Sequence, residues 1–390
     1  MGEVAFDESA TVLVINGVAV SSALALTTSD SGAVYVLKSA LEQLGVQPAE
    51  HAAVVWKLLH SYSPAAFLLE LPQGAYTAAR TVNGGRSIVC YAFHVQRLQR
   101  TLAALVQDAG RAPLQPLLED TEAASCRFSL FSTKKLRDSI RTALHQWALV
   151  YQRKQGGNGE PAEALIIIYI PCVDGNKVFS ARTSDSKACC NLHETVPVFV
   201  RCSELAPPTV EHEVVSKHAE VEFHLGIERS NPSIKYSGWV RDRKRCEELR
   251  EHADSIELVI VRRASTSVII LEGLVSNIFF IYKEGYVATA VNDVLHGHMR
   301  ELVLRVCEAH NVPLRLEKPP LVEERAQWSE VFLVSATRVI TPVHRVWAGR
   351  SLGMSNELWR NENSPSMFLE QIRSWTIEEM HRTSTDFRDL

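Results

Sequence analysis

Residues Leu271–Phe280 read LEGLVSNIFF, an apolar run broken by one acid, Glu272. A carboxylate among leucine, isoleucine and phenylalanine must have a partner, because losing its hydration uncompensated is costly. The run continues as a buried strand, Ile278–Tyr282, and is preceded by two more strand candidates, Ile256–Arg262 and Ser267–Leu271. Downstream, Leu295-His296-Gly297-His298-Met299-Arg300 is a loop that opens a helix over Met299–His310. The unpaired N–H groups and positive dipole end of such a helix start suit an anion. Further on, Val331–Val343 reads VFLVSATRVITPV, with a strand expected over Val331–Ser335 and the small polar turn Ser335-Ala336-Thr337 after it. Upstream, Ile234–Val240 reads IKYSGWV and leads into a helix over Gly238–His252. A lone lysine is nearly always a solvated side chain. Lys235 is unusual in standing between Ile234 and the aromatic Tyr236 and Trp239.

The first half of the chain is built in a similar way. Thr11–Val20 predicts a hairpin turning at Asn16-Gly17. Residues 33–44 carry Ala33, Val34, Leu37, Ala40, Leu41 and Leu44 on one helical face, and a second helix is expected over residues 51–60. A β stretch follows: Ala66–Leu71, Ala75–Thr81 and Ser87–Ala92, with Asn83-Gly84-Gly85 as a turn. Helical spacing returns in His94–Asp108 and in Lys134–Arg153, the latter ended by Gly156-Gly157-Asn158-Gly159, while residues 110–132 read as irregular. Leu165–Ile170 is a buried strand by its continuous apolar run. Val196–Arg201 is expected to open the second half, and a last amphipathic segment lies beyond Trp359. Strands flanked by helices, without regular βαβ alternation, predict two α+β lobes with mixed sheets, residues 1–190 and 191–390. The boundary is expected in the polar stretch between residues 183 and 195. Arg97, in His94-Val95-Gln96-Arg97-Leu98, and Tyr76 and Arg80, in Gly74–Thr81, carry chemistry-bearing side chains, although taken alone Arg97 reads as a solvated helix residue.

Composition narrows the classes. A chain of 390 residues with a net charge of -4 gives no reason to expect nucleic acid or an anionic membrane as partner. The longest apolar runs, such as Ala164–Ile170, are too short to span a bilayer, and the acidic Met1–Ala10 is not a secretory signal. The cysteines form no C-x-x-C pair, so neither a structural zinc site nor a disulfide framework is expected, and a reducing, cytoplasmic location follows. No histidine pair has metal-hydrolase spacing, so no metal is expected. There is no phosphate loop of the G-x-x-x-x-G-K type, no G-x-G-x-x-G and no G-x-S-x-G elbow.

The order HxxRL, a lysine, E-x-x-x-S-N-I-F, a G-x-x-R helix start and an EVFL…TPV strand resembles the class IV aminotransferases. That family includes branched-chain and D-amino-acid aminotransferases and aminodeoxychorismate lyase. The resemblance runs from about Ile15 to Val346 and is most specific from Glu272 to Val343. It implies a two-lobed, fold-type IV, α+β enzyme using pyridoxal 5'-phosphate, with an amino acid and a 2-oxo acid as partners and a homodimer as the assembly. Carried over, Lys235 is the lysine that forms the Schiff base and relays the proton. Glu272 is the carboxylate facing the pyridine nitrogen, and Arg97 is the phosphate clamp. His298 and Met299 stand where backbone N–H groups bind phosphate, and Ser335 and Ala336 where the second phosphate loop lies. Tyr76, Arg80 and Thr337 fall at the substrate pocket. Aminotransferase is the leading activity. A lyase acting on aminodeoxychorismate, and a binding or scaffold protein that has lost turnover, are the alternatives. Many relatives have Ile-Thr where this chain has His298-Met299, and a threonine where it has Ala336, which removes two hydroxyl donors.

Overall fold

The computed structural model describes residues 11–20, 40, 42, 47, 54, 57, 58, 63–108, 131–154, 162–172, 196–205 and 219–390 except 355 and 364. The helix expected over 33–44 and the one over 51–60 lie largely outside these residues. So do the irregular stretch before Phe131, the glycine run 156–159 and the lobe boundary between 183 and 195. The chain divides into two compact units. One takes Met1–Pro207 together with Lys235–Val240 and Ser384–Leu390, and the other takes Pro208–Ile234 and Arg241–Thr383.

The first unit is built on a seven-stranded sheet. Its strands are β1 (Thr11–Ile15), β2 (Val18–Val20), β3 (Gly74–Val82), β4 (Ser87–Val89), β5 (Glu163–Pro171), β6 (Phe199–Leu205) and β17 (Ser384–Asp386). They lie in the order β17-β4-β3-β5-β6-β1-β2. All the pairings are antiparallel. The first hairpin turns at Asn16 and Gly17, both at positive φ, as its Asn-Gly signal requires. The turn at Asn83-Gly84-Gly85 forms in the same way. Helices α2 (Tyr91–Asp108) and α3 (Thr133–Lys154) supply Leu98, Leu102, Leu136, Ile140 and Trp147 to a core against Ala75, Ala79, Ile166 and Ile168 of one sheet face. The opposite face packs Leu13, Tyr76, Leu165, Ile167 and Phe199 against Phe67 and Leu68.

The structure departs from the sequence pattern in three places. Ala66–Leu71 is not a strand: Pro64–Leu69 forms helix α1, with Ser63 as N-cap accepting from Ala66 N–H at 3.1 Å and Pro64 in the first turn. The strand expected to open the second half, Val196–Arg201, is β6, and it pairs with β5 and β1 inside the first sheet. That sheet is antiparallel rather than mixed.

The second unit holds two five-stranded sheets. One is made of β7 (Glu220–His224), β8 (Ser255–Ala264), β9 (Ser267–Gly273), β15 (Arg345–Ala348) and β16 (Glu357–Arg360), in the order β16-β15-β7-β8-β9. Strands β7 and β8 run parallel, as do β15 and β7. Strands β9 and β16 are antiparallel to their neighbours. In the other sheet, β10 (Asn277–Tyr282) lies between β11 (Val287–Ala288) and β13 (Trp328–Ser335). Strands β12 (Leu314–Arg315) and β14 (Val339–Val343) are its edges. Val221, Val259, Ile270, Phe280, Trp328 and Leu333 form the shared core. Helix α4 (Ser237–Glu247) follows Lys235, while α5 (His298–Ala309) and α6 (Met367–Arg382) pack in the second unit. Among the described residues no helix is long and apolar enough to cross a membrane, and no group of side chains could hold a metal ion.

Candidate active site

In the first unit, the segment carrying Lys235 is stitched to the start of β3 through its backbone. Lys235 N–H donates to Thr101 Oγ1 at 3.2 Å, and its carbonyl accepts from Tyr76 N–H at 3.0 Å. Tyr236 and Ala75 form a β-bridge, and Gly74 N–H donates to Ser237 Oγ at 3.0 Å. Gly74 admits no side chain here, since a Cβ would lie 2.5 Å from Ile170 carbonyl oxygen. The Lys235 ammonium stands 4.9 Å from the centre of the Tyr76 ring. The backbone is thus held on both sides while the side chain lies over an aromatic face.

Arg97 belongs to the same neighbourhood. His94, Arg97 and Thr101 are spaced i, i+3, i+7 along α2 and fall on one stripe, which faces β3. The Arg97 Nη2 group donates to Thr77 Oγ1 and lies 3.1 Å from His94 Nδ1, itself 2.7 Å from Thr77 Oγ1. Arg97 is buried, its Nε has no hydrogen-bond partner among the described residues, and no carboxylate among them pairs with it. Burial, only partly offset by Tyr76, pushes the guanidinium down to about 10, so it remains a cation at neutral pH. A buried guanidinium in such a setting is a donor set for a dianionic phosphate. Arg80 is also buried and lowered to about 10 by desolvation, with Glu163 acting against the shift. It lies on β3, and Tyr76, at even spacing from it, shares its sheet face.

In the second unit, Glu272 has the partner its setting demands. One oxygen accepts from Arg229 Nη1 at 2.6 Å, and the other accepts from Leu295 N–H at 2.9 Å. Both members of the ion pair are buried. Arg229 in turn donates to Ile234 carbonyl at 3.0 Å, just before Lys235 in sequence. Asn277 Nδ2 donates to Leu295 carbonyl at 2.7 Å, so Glu272 and Asn277 grip the same residue from both ends of the LEGLVSN stretch. Gly297, the N-cap of α5, offers no side-chain cap, and a Cβ there would sit 2.6 Å from Asn277 Oδ1. His298 and Met299, both buried, form the first turn, and Arg300 anchors it through Ala290 carbonyl at 3.1 Å and Glu301 at 2.9 Å. An uncapped helix start held this firmly is the second anion-compatible feature. Ala336, Thr337 and Arg338 form the turn between β13, which ends at Ser335, and β14. Arg338 N–H donates to Ser335 Oγ at 3.2 Å, and the Ser335 and Thr337 hydroxyls are 3.2 Å apart. His94, Thr77 and Asn277 stand in the quoted motifs without a role, and Thr101 and Arg229 are not singled out by the sequence at all. The i, i+3 spacing of His94 and Arg97 was a usable signal, whereas nothing in the local sequence singles out Arg229.

Residues 177–346 match the family model for class IV amino-transferases, the family their motifs resembled. No curated protein matches the chain by sequence. Among solved structures, a T.th. branched-chain amino acid aminotransferase with pyridoxamine 5'-phosphate superposes with a TM-score of 0.55 at 13% identity, over 96% of this chain and 98% of that one. A hypothetical aminotransferase from Mycobacterium tuberculosis, in its apo form, gives 0.53 at 12%, over 95% and 98%. At these identities the likeness is one of fold, and the fold is that of the fold-type IV aminotransferases, as expected from the sequence.

Proposed function

We propose that this chain, similar to class IV aminotransferases over residues 177–346, is a pyridoxal-phosphate-dependent aminotransferase that moves an amino group between an amino acid and a 2-oxo acid. The observation that supports this reading is the pairing of two features. Lys235 is held by its backbone to Tyr76 and Thr101, and Arg97, one helical turn before Thr101, is buried with no carboxylate partner among the described residues. The cofactor, when bound, supplies an aldehyde to attach the amine and a ring to accept electrons from the substrate carbon. Arg97, the helix start at His298-Met299 and the Ser335-Ala336 turn are the residues that would take its phosphate. Lys235 provides the amine of attachment and afterwards carries the proton to and from the substrate α-carbon. Glu272 contributes a carboxylate for the pyridine nitrogen, with Arg229 and Leu295 N–H fixing its orientation. Tyr76, Arg80 and Thr337 belong to the substrate pocket in this reading, and the working assembly is a cytoplasmic homodimer.

The test is spectroscopic and chemical. Purified protein given pyridoxal phosphate should turn yellow, and borohydride should fix the cofactor to the peptide containing Lys235. A suitable amino acid should then bleach the visible band and a 2-oxo acid should restore it. Label on Lys217 or Lys244 instead would remove Lys235 from its role. Failure of a broad panel of L- and D-amino acids with cofactor bound would remove the aminotransferase assignment, and pyruvate release from aminodeoxychorismate would establish the lyase.

A further inference from the structure

Glu257 lies on β8 and is buried, yet it is neither in the motif pattern nor placed against any reacting group above. Its carboxylate collects four hydrogen bonds. One oxygen accepts from Val275 N–H at 2.7 Å and Ser276 N–H at 2.8 Å, and the other accepts from Ser276 Oγ at 2.8 Å and Arg338 Nη1 at 2.7 Å. Gly273 is glycine for the same reason, since a Cβ there would collide with this carboxylate. The loop is further closed by Gly273 N–H on Ser276 carbonyl at 2.8 Å and Leu274 N–H on Leu258 carbonyl at 3.0 Å.

The donors come from two separate places. Val275 and Ser276 lie in the β9–β10 loop, flanked by Glu272 and Asn277, which together grip Leu295 ahead of the α5 start. Arg338 ends the β13–β14 turn, whose Ser335 Oγ accepts from Arg338 N–H. One buried carboxylate therefore ties the β9–β10 loop, whose flanking Glu272 and Asn277 hold Leu295, to the turn that follows Ser335. Charge-assisted bonds of this number and directionality fix backbone position more firmly than packing does. With no hydroxyl at Met299 or Ala336, the share of phosphate recognition that falls to these two segments, beside Arg97, rests on their backbone N–H groups and on the Ser335 and Thr337 hydroxyls. Backbone donors work only where the main chain is held in place.

We propose that Glu257 is a positioning residue that holds the β9–β10 loop and the β13–β14 turn in the arrangement needed to bind the cofactor's phosphate. This rests on the reading of the chain as a pyridoxal-phosphate enzyme. Glu257→Gln keeps the size but turns one acceptor into a donor facing N–H groups or Arg338. Arg338→Gln removes only the link to the turn, and Arg338→Lys restores a cation there.

The experiment titrates wild type and the three variants with pyridoxal phosphate and with pyridoxal, which lacks the phosphate, following visible absorbance, alongside melting curves without ligand. Wild type should prefer pyridoxal phosphate. Glu257→Gln should lose affinity for it by about tenfold, the scale of one charged hydrogen bond, with pyridoxal affinity unchanged. Arg338→Gln should move the same way by a smaller factor, with Arg338→Lys returning toward wild type. Equal loss for both aldehydes, or an unchanged preference, would mean that Glu257 serves only the fold and would overturn the proposal. Should Glu257→Gln fail to fold, the Arg338 pair decides by the same criterion, because that side chain is one-third exposed. A wild type that binds both aldehydes without preference overturns the positioning role while leaving attachment at Lys235 standing. A wild type that binds neither overturns the functional reading and the positioning role together.

Discussion

Arg97 is a buried cation, and among the described residues its hydrogen bonds go to a threonine and a histidine rather than to an acid. Such a side chain weakens the empty protein and gains its value from an anion. The expectation is a trade. Arg97→Met should melt no lower than the parent without cofactor, because an apolar side chain of similar volume avoids the desolvation penalty. It should lose the stabilisation that saturating pyridoxal phosphate gives wild type, which at a hundredfold excess over Kd is about 2.7 kcal/mol. Calorimetry with and without cofactor reads both halves, and a variant several degrees less stable when empty would assign Arg97 to the fold. At this scale the sequence offers residue types and order but not partners. That Glu272 needs a counter-charge is legible from the apolar letters around it. That Arg229 supplies it is not, because the two lie far apart in the chain and meet only when β9 is in place. Glu257 is silent for the same reason: its four donors are distant in sequence.

Among the elements, the short strand β12 depends on a carboxylate outside it. Glu324, in the 3-10 turn Val322–Gln327, accepts from Arg315 at 2.8 Å, Lys318 at 2.8 Å and Tyr282 Oη at 2.5 Å. Arg315 also lies 4.4 Å from the centre of the Tyr282 ring. Burial alone would raise the Glu324 carboxyl, but the bonds from Arg315, Lys318 and Tyr282 outweigh it and hold the group down at about 2. A folded value below the unfolded one contributes stability that is complete above the ordinary carboxylate range and is lost as pH falls through about 2. Glu324→Gln should therefore cost on the order of 1 kcal/mol at pH 7, after discounting for solvent screening, and much less at pH 2. Urea unfolding at the two pH values checks this, and an equal cost at both would refute the ionic account. Most elements are legible from periodicity. The exceptions have local causes. The run Ala66–Leu71, AFLLEL, reads as a strand because its letters are mostly apolar without helical spacing, whereas the stronger signal is the Ser63-Pro64 helix start before it. Strand β7, EVEFH, does alternate charged and apolar letters, but over five residues with charges on every second position it reads as an exposed edge rather than a buried strand. Here they are buried, with Glu222 accepting from His224 at 2.6 Å and from the N–H groups of Glu251 and His252.

The two units are not two halves of the chain. The first draws on three stretches, and the last of them is β17, which pairs Ser384 with Val89, Thr385 with Ile88 and Asp386 with Ser87. Arg141 donates to the carbonyl oxygens of Phe387 and Leu390 and holds the end of that stretch. Deleting residues 384–390 should destabilise the first unit by on the order of a few kcal/mol, since each ladder hydrogen bond is worth about 1 kcal/mol. It should also raise hydrogen exchange along β4 while sparing β10 and β13. Unchanged exchange in β4 would show that β17 is ornamental to the sheet. The interleaving has a consequence for biogenesis. A ribosome releases β3 and β4 some three hundred residues before β17, so the nascent sheet carries an open edge for most of translation, and an open edge is a template for pairing with other chains. The stretch that bears Lys235 also arrives late, long after the strand it is bridged to. Synthesis of this protein therefore leaves a long interval in which the first unit is present but its sheet is not yet closed by its last strand.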